Sequence, residues 1–364
     1  MGIDIDKTTF ETADFKAFGK RLEQNLESLQ ALLTRPGFGA GPASMGSEME
    51  MYIVDASGYP LYANEEIEEE AKDPQLTLEL NRYNLEYNLS PYALDQSAFA
   101  KTEAEILAKL QQLRGVAARH GGRIVPIGIL PTLRKTDFGP HCITRRRRYH
   151  ALVEQLIRRR GDKFHIEING DDPLKLELAD ITLEGANTSF QVHYRVTPGN
   201  YADTFNAMQL VTPLAVAISA NSPTLFGHRL WQETRIPLFK QSIDTRHTDR
   251  YGWREPARVS FGQGWARRGA GELFQEVVRI YPPLLPVCSD VSPSQEQTDA
   301  VTPSLAELRL HQGTVWLWNR PIYDDAGGGH LRIEMRALPA GPTAIDMVAS
   351  AAFMIGLAEG LRPR

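Results

Sequence analysis

The chain has 364 residues, 42% hydrophobic and 23% charged, with a formal net charge of −5. That suits a soluble globular protein of one large or two medium domains, and it lacks the basic excess that advertises nucleic-acid or membrane-surface binding. Only two cysteines occur, Cys142 and Cys288, which excludes a disulfide framework and a cysteine-based zinc site and suits a reducing cytoplasm.

In chain order, the start Met1-Gly2-Ile3-Asp4-Ile5-Asp6 is acidic and has no signal-peptide character. Phe15, Phe18, Leu22, Leu26, Leu29 and Leu33 then recur at helical spacing up to Pro36-Gly37, predicting a helix over 14–35. After a Gly/Pro-rich loop comes Gly46-Ser47-Glu48-Met49-Glu50-Met51-Tyr52-Ile53-Val54. Its period of two puts Glu48 and Glu50 on one strand face and Met49, Met51 and Ile53 on the other. Carboxylates two apart on a strand lie roughly 6.6 Å from each other. At an effective dielectric near 20 they repel by about 2.5 kcal/mol, a cost that a hard divalent cation would cancel. The acidic run Glu65 to Glu70 reads as solvated surface.

Leu76 to Leu80 and Leu85 to Pro91 alternate like strands. Glu79 and Glu86 are an odd number of residues apart, so one continuous strand cannot put both on one face; either a bulge intervenes or the middle is not extended. Thr102-Glu103-Ala104-Glu105 reads as a capping box opening an amphipathic helix, and 123–130 as a buried strand. The arginine runs 145–148 and 158–160 flank a helical stripe of Tyr149, Leu152, Val153 and Leu156. No stacking aromatics accompany them. They therefore read as a surface helix whose arginines pair with acids or hold a phosphate ligand, rather than as a nucleic-acid patch.

Strands follow at 164–168 and 174–178. The segment 188–196 places Ser189, Gln191, His193 and Arg195 on one face. A helix is expected from Asn200 to Ser219, loop over 221–270, and a short helix over 271–281. Residues 315–323 read as a strand, and 330–337 alternates most cleanly, with Arg332, Glu334 and Arg336 backed by Leu331, Ile333 and Met335. A last helix is expected over 342–361. Several strands thus have an apolar back and a polar front, the pattern of a sheet with helices on one face and a working surface on the other.

The front faces offer Glu48, Glu50, Glu79 or Glu86, Gln191, His193, Arg195, Arg332, Glu334 and Arg336. Carboxylates with one imidazole suit magnesium or manganese. Arginines among them make sense if a polyphosphate such as ATP lies over the metals, which gives Arg332 and Arg195 a nucleotide-binding role. Metals with arginines are the equipment of phosphoryl transfer. No Gly-x-x-x-x-Gly-Lys-[Ser/Thr] loop and no Gly-x-Gly-x-x-Gly fingerprint after a strand occur in the sequence.

The set Gly46-Ser47-Glu48-Met49-Glu50, Leu85-Glu86-Tyr87, Gln191-Val192-His193, Ala220-Asn221-Ser222-Pro223 and Glu334-Met335-Arg336 resembles, in order and spacing, the type 2 glutamate–cysteine ligase family with its carboxylate–amine ligases. The resemblance implies an α+β, glutamine-synthetase-like fold in which a curved antiparallel β-sheet forms a funnel with helices on its outer face. It implies a single catalytic domain over 1–364, with a helix at 14–35, sheet and helices over 45–337 and a helix at 342–361. Glu48, Glu50, Glu86, Gln191, His193 and Glu334 would be metal ligands for magnesium or manganese. Arg336 with Glu334 would serve catalysis, and Arg235, or its rival Arg229, would grip the acidic substrate, with Glu79 nearby. The implied reaction is ATP-dependent: an amino-acid carboxylate, by default the glutamate γ-carboxylate, becomes an acyl phosphate and is joined to an amine, by default cysteine. Other expectations are a cytoplasmic location, small-molecule partners, no nucleic acid or membrane, and a possible homo-oligomer. The alternatives are another acid and amine pair, or a degenerate relative that binds a nucleotide or partner without catalysis.

Overall fold

A computed structural model describes residues 5, 7–246, 256–291 and 302–362. Its centre is a curled antiparallel sheet built from β1 (Ser44–Val54), β2 (Leu76–Leu78), β3 (Asn84–Ala93), β4 (Arg123–Val125), β5 (Phe190–Val196), β6 (Asn319–Asp324) and β7 (His330–Met335), in the order β6-β7-β5-β1-β3-β2, with β4 paired to the end of β1. This is the curved sheet that the resemblance implies.

The period-two pattern explains the layering. The back of the sheet presents Met45, Met49, Met51, Leu85, Tyr87, Val192, Leu331, Ile333 and Met335, all buried in one apolar core. Among the helices that contribute to that core are α2 (Ala98–Arg119), α4 (Tyr201–Ser219) and α5 (Ala344–Leu361). Helix α5 is long and apolar enough to cross a membrane by length and composition. Here Met347, Val348, Ala351, Met354, Ile355 and Ala358 bury one side of it in the core. Its N-cap is Thr343, whose hydroxyl accepts a hydrogen bond from the Asp346 amide at 3.3 Å, the expected capping geometry.

Register places the front face. Glu48 lies opposite Asn88 on one side and Gln191 on the other, Glu50 opposite Glu86, and His193 opposite Gly46 and Glu334. The Glu79–Glu86 parity resolves as the unextended case. β2 ends at Leu78, the chain turns at 81–83, and β3 returns with Thr77 opposite Glu86. In an antiparallel pair of this register, residues of opposite parity share a face, so both glutamates reach the front.

Four local expectations differ from the structure. Helix α2 begins at Ala98, not at Thr102; Glu105 instead accepts hydrogen bonds from Ser90 and Tyr92. The 123–130 strand stops at Val125, because Pro126, which has no amide donor, and then Gly128 interrupt the ladder. Within 221–270 the described residues form a small hairpin (224–225 with 228–229), a helix Arg235–Ser242 and a short strand Val259–Ser260; residues 247–255 lie outside the described residues. The 315–323 strand divides into Trp316–Leu317, parallel to Val259–Ser260, and β6. The strands expected at 164–168 and 174–178 form, and they pair as an antiparallel hairpin.

The acidic and basic runs explain each other. The acidic run is helix α1 (Asn64–Ala71), and the arginines begin helix α3 (Arg147–Arg160). The Arg145 amide donates to Glu65 at 2.7 Å, and Arg146 pairs with Glu68 at 3.1 Å. The acids are therefore partly engaged, not simply solvated, and at 145 and 146 the arginine run pairs with them.

Candidate active site

The concave face of the sheet lines a cavity of about 240 Å³. Two acid groups meet there, one strand position apart. Glu48, His193 and Glu334 form the first, and Glu50, Glu79 and Glu86 the second; within each, one potential ligand atom per residue lies within 4.8 Å of the others. Their chemistry fits hard divalent cations, by three carboxylates in one case and two carboxylates and an imidazole in the other.

The electrostatics of the two groups differ. In the first, the Glu48 carboxylate lies 2.9 Å from His193 Nε2. Glu334, fully buried, accepts from Arg320 through both oxygens, one bond being 2.8 Å from Nη2, and from Arg336 Nη1 at 2.7 Å. Burial alone would raise both acids. Instead, the charge and hydrogen bond of His193, with Arg336 farther off, hold Glu48 well below the usual range. Arg320 and Arg336 hold Glu334 at about 2.

The second group lacks that internal neutralisation. Glu50 accepts from the Ser189 amide at 2.6 Å and from Gln191 Nε2 at 2.8 Å. Glu86 accepts from Thr77 and Asn88, each at 3.0 Å, and Glu79 from the Leu80 amide at 3.3 Å. Burial and then the Glu86 charge push Glu50 up to about 7. Burial with Glu86 and Glu50 raises Glu79 well above its ordinary value, and burial with Glu48 raises Glu86. Burial and like charge thus raise these three acids, whereas Arg320 and Arg336 pair with Glu334. The three therefore gain most from a divalent cation and make the stronger of the two candidate metal positions.

Each residue singled out in the sequence has a definite place. Glu48, Glu50, Glu79, Glu86, Gln191, His193, Arg332, Glu334 and Arg336 all line the cavity. Gln191, read as a metal ligand, bridges Arg336 and Glu50. Its amide oxygen accepts from Arg336 Nη1 while its NH₂ donates to Glu50, and the reversed amide would set donor against donor. Glu79 belongs with the second acid group. Arg332 pairs with Asp324 at 3.1 Å and also lines an adjoining recess of about 330 Å³. Arg195 lines only that recess, with Nη2 on the Ala40 carbonyl at 2.8 Å.

The two proposed carboxylate grips do not line the cavity. Arg229 is exposed on the small hairpin, held by Asp172 at 2.9 Å. Arg235 is buried, its Nη1 committed to Glu233 at 2.8 Å and the Ala337 carbonyl at 3.1 Å. Glu233 in turn accepts from the Asn221 amide at 2.9 Å. Arg235 thereby ties the Ala-Asn-Ser-Pro segment to the end of β7. Arg235→Ala should therefore lower stability by about 3–5 kcal/mol, the cost of stranding a buried partner, measured by urea denaturation; a substrate grip would instead alter only substrate affinity.

Several lining residues escaped the sequence reading: Arg148, Tyr149, Glu184, Arg309 and Arg320. Arg148 and Tyr149 sit in the first turn of α3, in the run that read as surface. The signal that could have found Arg320 is register, since it lies directly opposite Glu334.

Residues 44–361 match the family model described as glutamate-cysteine ligase family 2. The chain belongs to that family. The family match covers the whole sheet and the helices behind it. No curated protein matches the chain. Among solved structures it is similar to a bifunctional glutathione synthetase from Pasteurella multocida, with 10% identity and a TM-score of 0.45 over 93% of this chain and 41% of that one. It is also similar to a glutamate–cysteine ligase from Francisella tularensis in complex with AMP, with 10% identity and a TM-score of 0.45 over 83% and 62%. A third is a Plasmodium falciparum glutamine synthetase, with 8% identity and a TM-score of 0.37 over 98% and 56%. The family member described here thus matches only 41% to 62% of the length of these chains.

Proposed function

We propose that this chain is an ATP- and magnesium-dependent ligase that activates an amino-acid carboxylate and joins it to an amine, with glutamate and cysteine the default pair and 1–364 acting as one catalytic domain. The observation that carries the reading is the pair of acid groups set one strand position apart, with Arg336 reaching both Glu334 and Gln191. Glu50, Glu79 and Glu86 would hold one divalent cation, and Glu48, His193 and Glu334 a second; manganese fits the same donors. When bound, such cations supply charge neutralisation and orientation of phosphate oxygens.

The chain's own residues account for the rest. The substrate carboxylate attacks the γ-phosphorus of ATP and ADP leaves, giving an acyl phosphate. The amine then attacks the acyl carbon, and the C–O bond to phosphate breaks. Arg336 supplies a fixed cation where charge develops on the transferred group, and Glu334 and Gln191 hold its guanidinium in place. Arg332 and Arg195, at the mouth of the adjoining recess, suit the remaining phosphates.

With Arg235 committed to Glu233, Arg148, which lines the cavity, is a candidate cation for a substrate carboxylate. A hydrogen bond to a charged group contributes about 1.5–3 kcal/mol. Arg148→Ala should therefore raise KM for one carboxylate substrate roughly 10–100-fold, read by steady-state ADP release.

The deciding experiment is ADP release with magnesium across a panel of amino acids and amines. Turnover that requires both glutamate and cysteine supports the default pair, and turnover with another pair reassigns the substrates. No turnover with any pair leaves a protein that binds nucleotide without catalysis.

A further inference from the structure

Glu184 has no part in the reaction just described. It sits in the 3₁₀ turn Thr182–Ala186 that leads into β5. The turn holds its backbone firmly: the Glu184 amide donates to Ile181 at 2.9 Å, and its carbonyl accepts from the Asn187 amide at 2.9 Å and from Asn187 Nδ2 at 2.8 Å. A Cβ on neighbouring Gly185 would meet Asn81 Nδ2 at 2.2 Å, and that same nitrogen donates to the Thr182 carbonyl at 2.8 Å. The turn is thus pressed onto Asn81, and Glu184 is delivered to the cavity wall.

Its surroundings are unusual for an anion. The same cavity is lined by apolar Leu152, Ile181, Ile243 and Trp316, and Ile181 belongs to its own turn. Among the described residues, no ion pair or side-chain hydrogen bond reaches its carboxylate; it interacts electrostatically with Glu50, Arg336, Glu79 and Tyr149. It also lies outside both three-residue acid groups, so the candidate metal positions do not account for it. An anion on a low-dielectric wall next to other carboxylates is costly without a cation. A ligand that brings a positive charge, together with a short apolar or thiol-bearing chain, fits this corner.

We propose that Glu184 binds the ammonium group of an amino-acid substrate in the same cavity as the candidate metal positions. This rests on the ligase reading and deepens it by requiring that at least one substrate enter as a cation. Two substrates could bring that group, the acid to be activated or the amine acceptor. The recognising chemistry is the same, a primary ammonium on one carboxylate.

The test compares wild type with Glu184→Gln and Glu184→Asp. Steady-state ADP release is followed with glutamate or glutarate as acid, and with cysteine or hydroxylamine as nucleophile; glutarate lacks the ammonium and hydroxylamine is uncharged at neutral pH. In Glu184→Gln, KM should rise at least about 10-fold for the ammonium-bearing member of one pair, glutamate or cysteine, and not for its counterpart. Which pair responds identifies the source, and Glu184→Asp should recover part of the affinity. The apo melting temperature of Glu184→Gln should match or exceed that of wild type, whereas a structural role would lower it. Calorimetric titration of glutamate and cysteine reads the same contrast without turnover. Binding that depends on Glu184 in a protein that releases no ADP would uphold this site and sink the ligase reading. Turnover with equal KM values in both proteins, or no binding of either compound to wild type, would overturn the site.

Discussion

Replacing Glu334 with glutamine should lower magnesium-dependent ATP turnover at least about 100-fold and destabilise the protein as well. The side chain is fully buried and accepts from Arg320 and Arg336, with His193 Nε2 3.9 Å away. Glutamine keeps the volume but removes the charge. Two guanidinium groups then share a neutral acceptor in a low-dielectric interior, and removing one partner of a buried ion pair costs about 3–5 kcal/mol. The functional loss has the same origin. Arg336 is aimed by Glu334, and a misplaced cation at the site of charge development costs about 100–1000-fold in kcat. The first acid group also loses one of its three candidate ligands. ADP-release assays and urea denaturation read the two effects separately. Wild-type turnover in a variant shown to be folded would remove Glu334 from the reacting centre.

Apart from Arg320, the residues this prediction uses were readable because strands convert sequence parity directly into faces. Glu48, Glu50, Gln191, His193, Arg332, Glu334 and Arg336 needed only the period of two. Glu79 and Glu86 defeated the same rule until the turn at 81–83 made them a hairpin, since parity within one strand says nothing about a return strand of unknown register. Arg148 and Tyr149 were hidden for a different reason. On a helix the outward face is chosen by what packs nearby, and the partner is distant in sequence: α1 takes Arg145 and Arg146, while the next turn looks into the cavity. Arg235 read as a substrate grip because motif spacing carries no information on burial, although Glu233 two residues earlier offered an internal partner. The Thr102–Glu105 pattern imitated a helix start because Glu105 was needed by β3, a contact that no local motif encodes.

Replacing Glu50 with glutamine should do the opposite of the Glu334 change to the apo protein while also stopping metal-dependent turnover. Glu50 faces Glu86 across the β1–β3 ladder, and burial with that like charge raises it to about 7. An acid raised on folding binds more protons in the native than in the unfolded state. Stability therefore falls as pH climbs from the unfolded value near 4.5 through the folded value near 7. Glu79, Glu86 and Glu184 are shifted in the same direction, with Glu184 at about 8, and steepen the fall. Glu48 and Glu334 are shifted downward, so their contribution is complete above about pH 4.5 and is lost only under more acid conditions. His311, pushed down to about 4 by burial, and His330, also lowered by burial, pull the other way below about pH 6.5. Between about pH 6.5 and 8, then, metal-free wild type should lose stability with rising pH, on the order of 1 kcal/mol from Glu50, and Glu50→Gln should be more stable at pH 8 with a shallower slope. Millimolar magnesium should flatten the wild-type slope by binding the charged acids, as mass action requires of a ligand that favours the native state. It should do so much less in the variant. Urea denaturation at pH 5, 6.5 and 8, with and without magnesium, measures all four quantities. A metal-free wild-type slope between about pH 6.5 and 8 no steeper than that of Glu50→Gln, or an equal magnesium effect in both proteins, would mean that Glu50, Glu79 and Glu86 are neutralised by the protein itself and hold no cation.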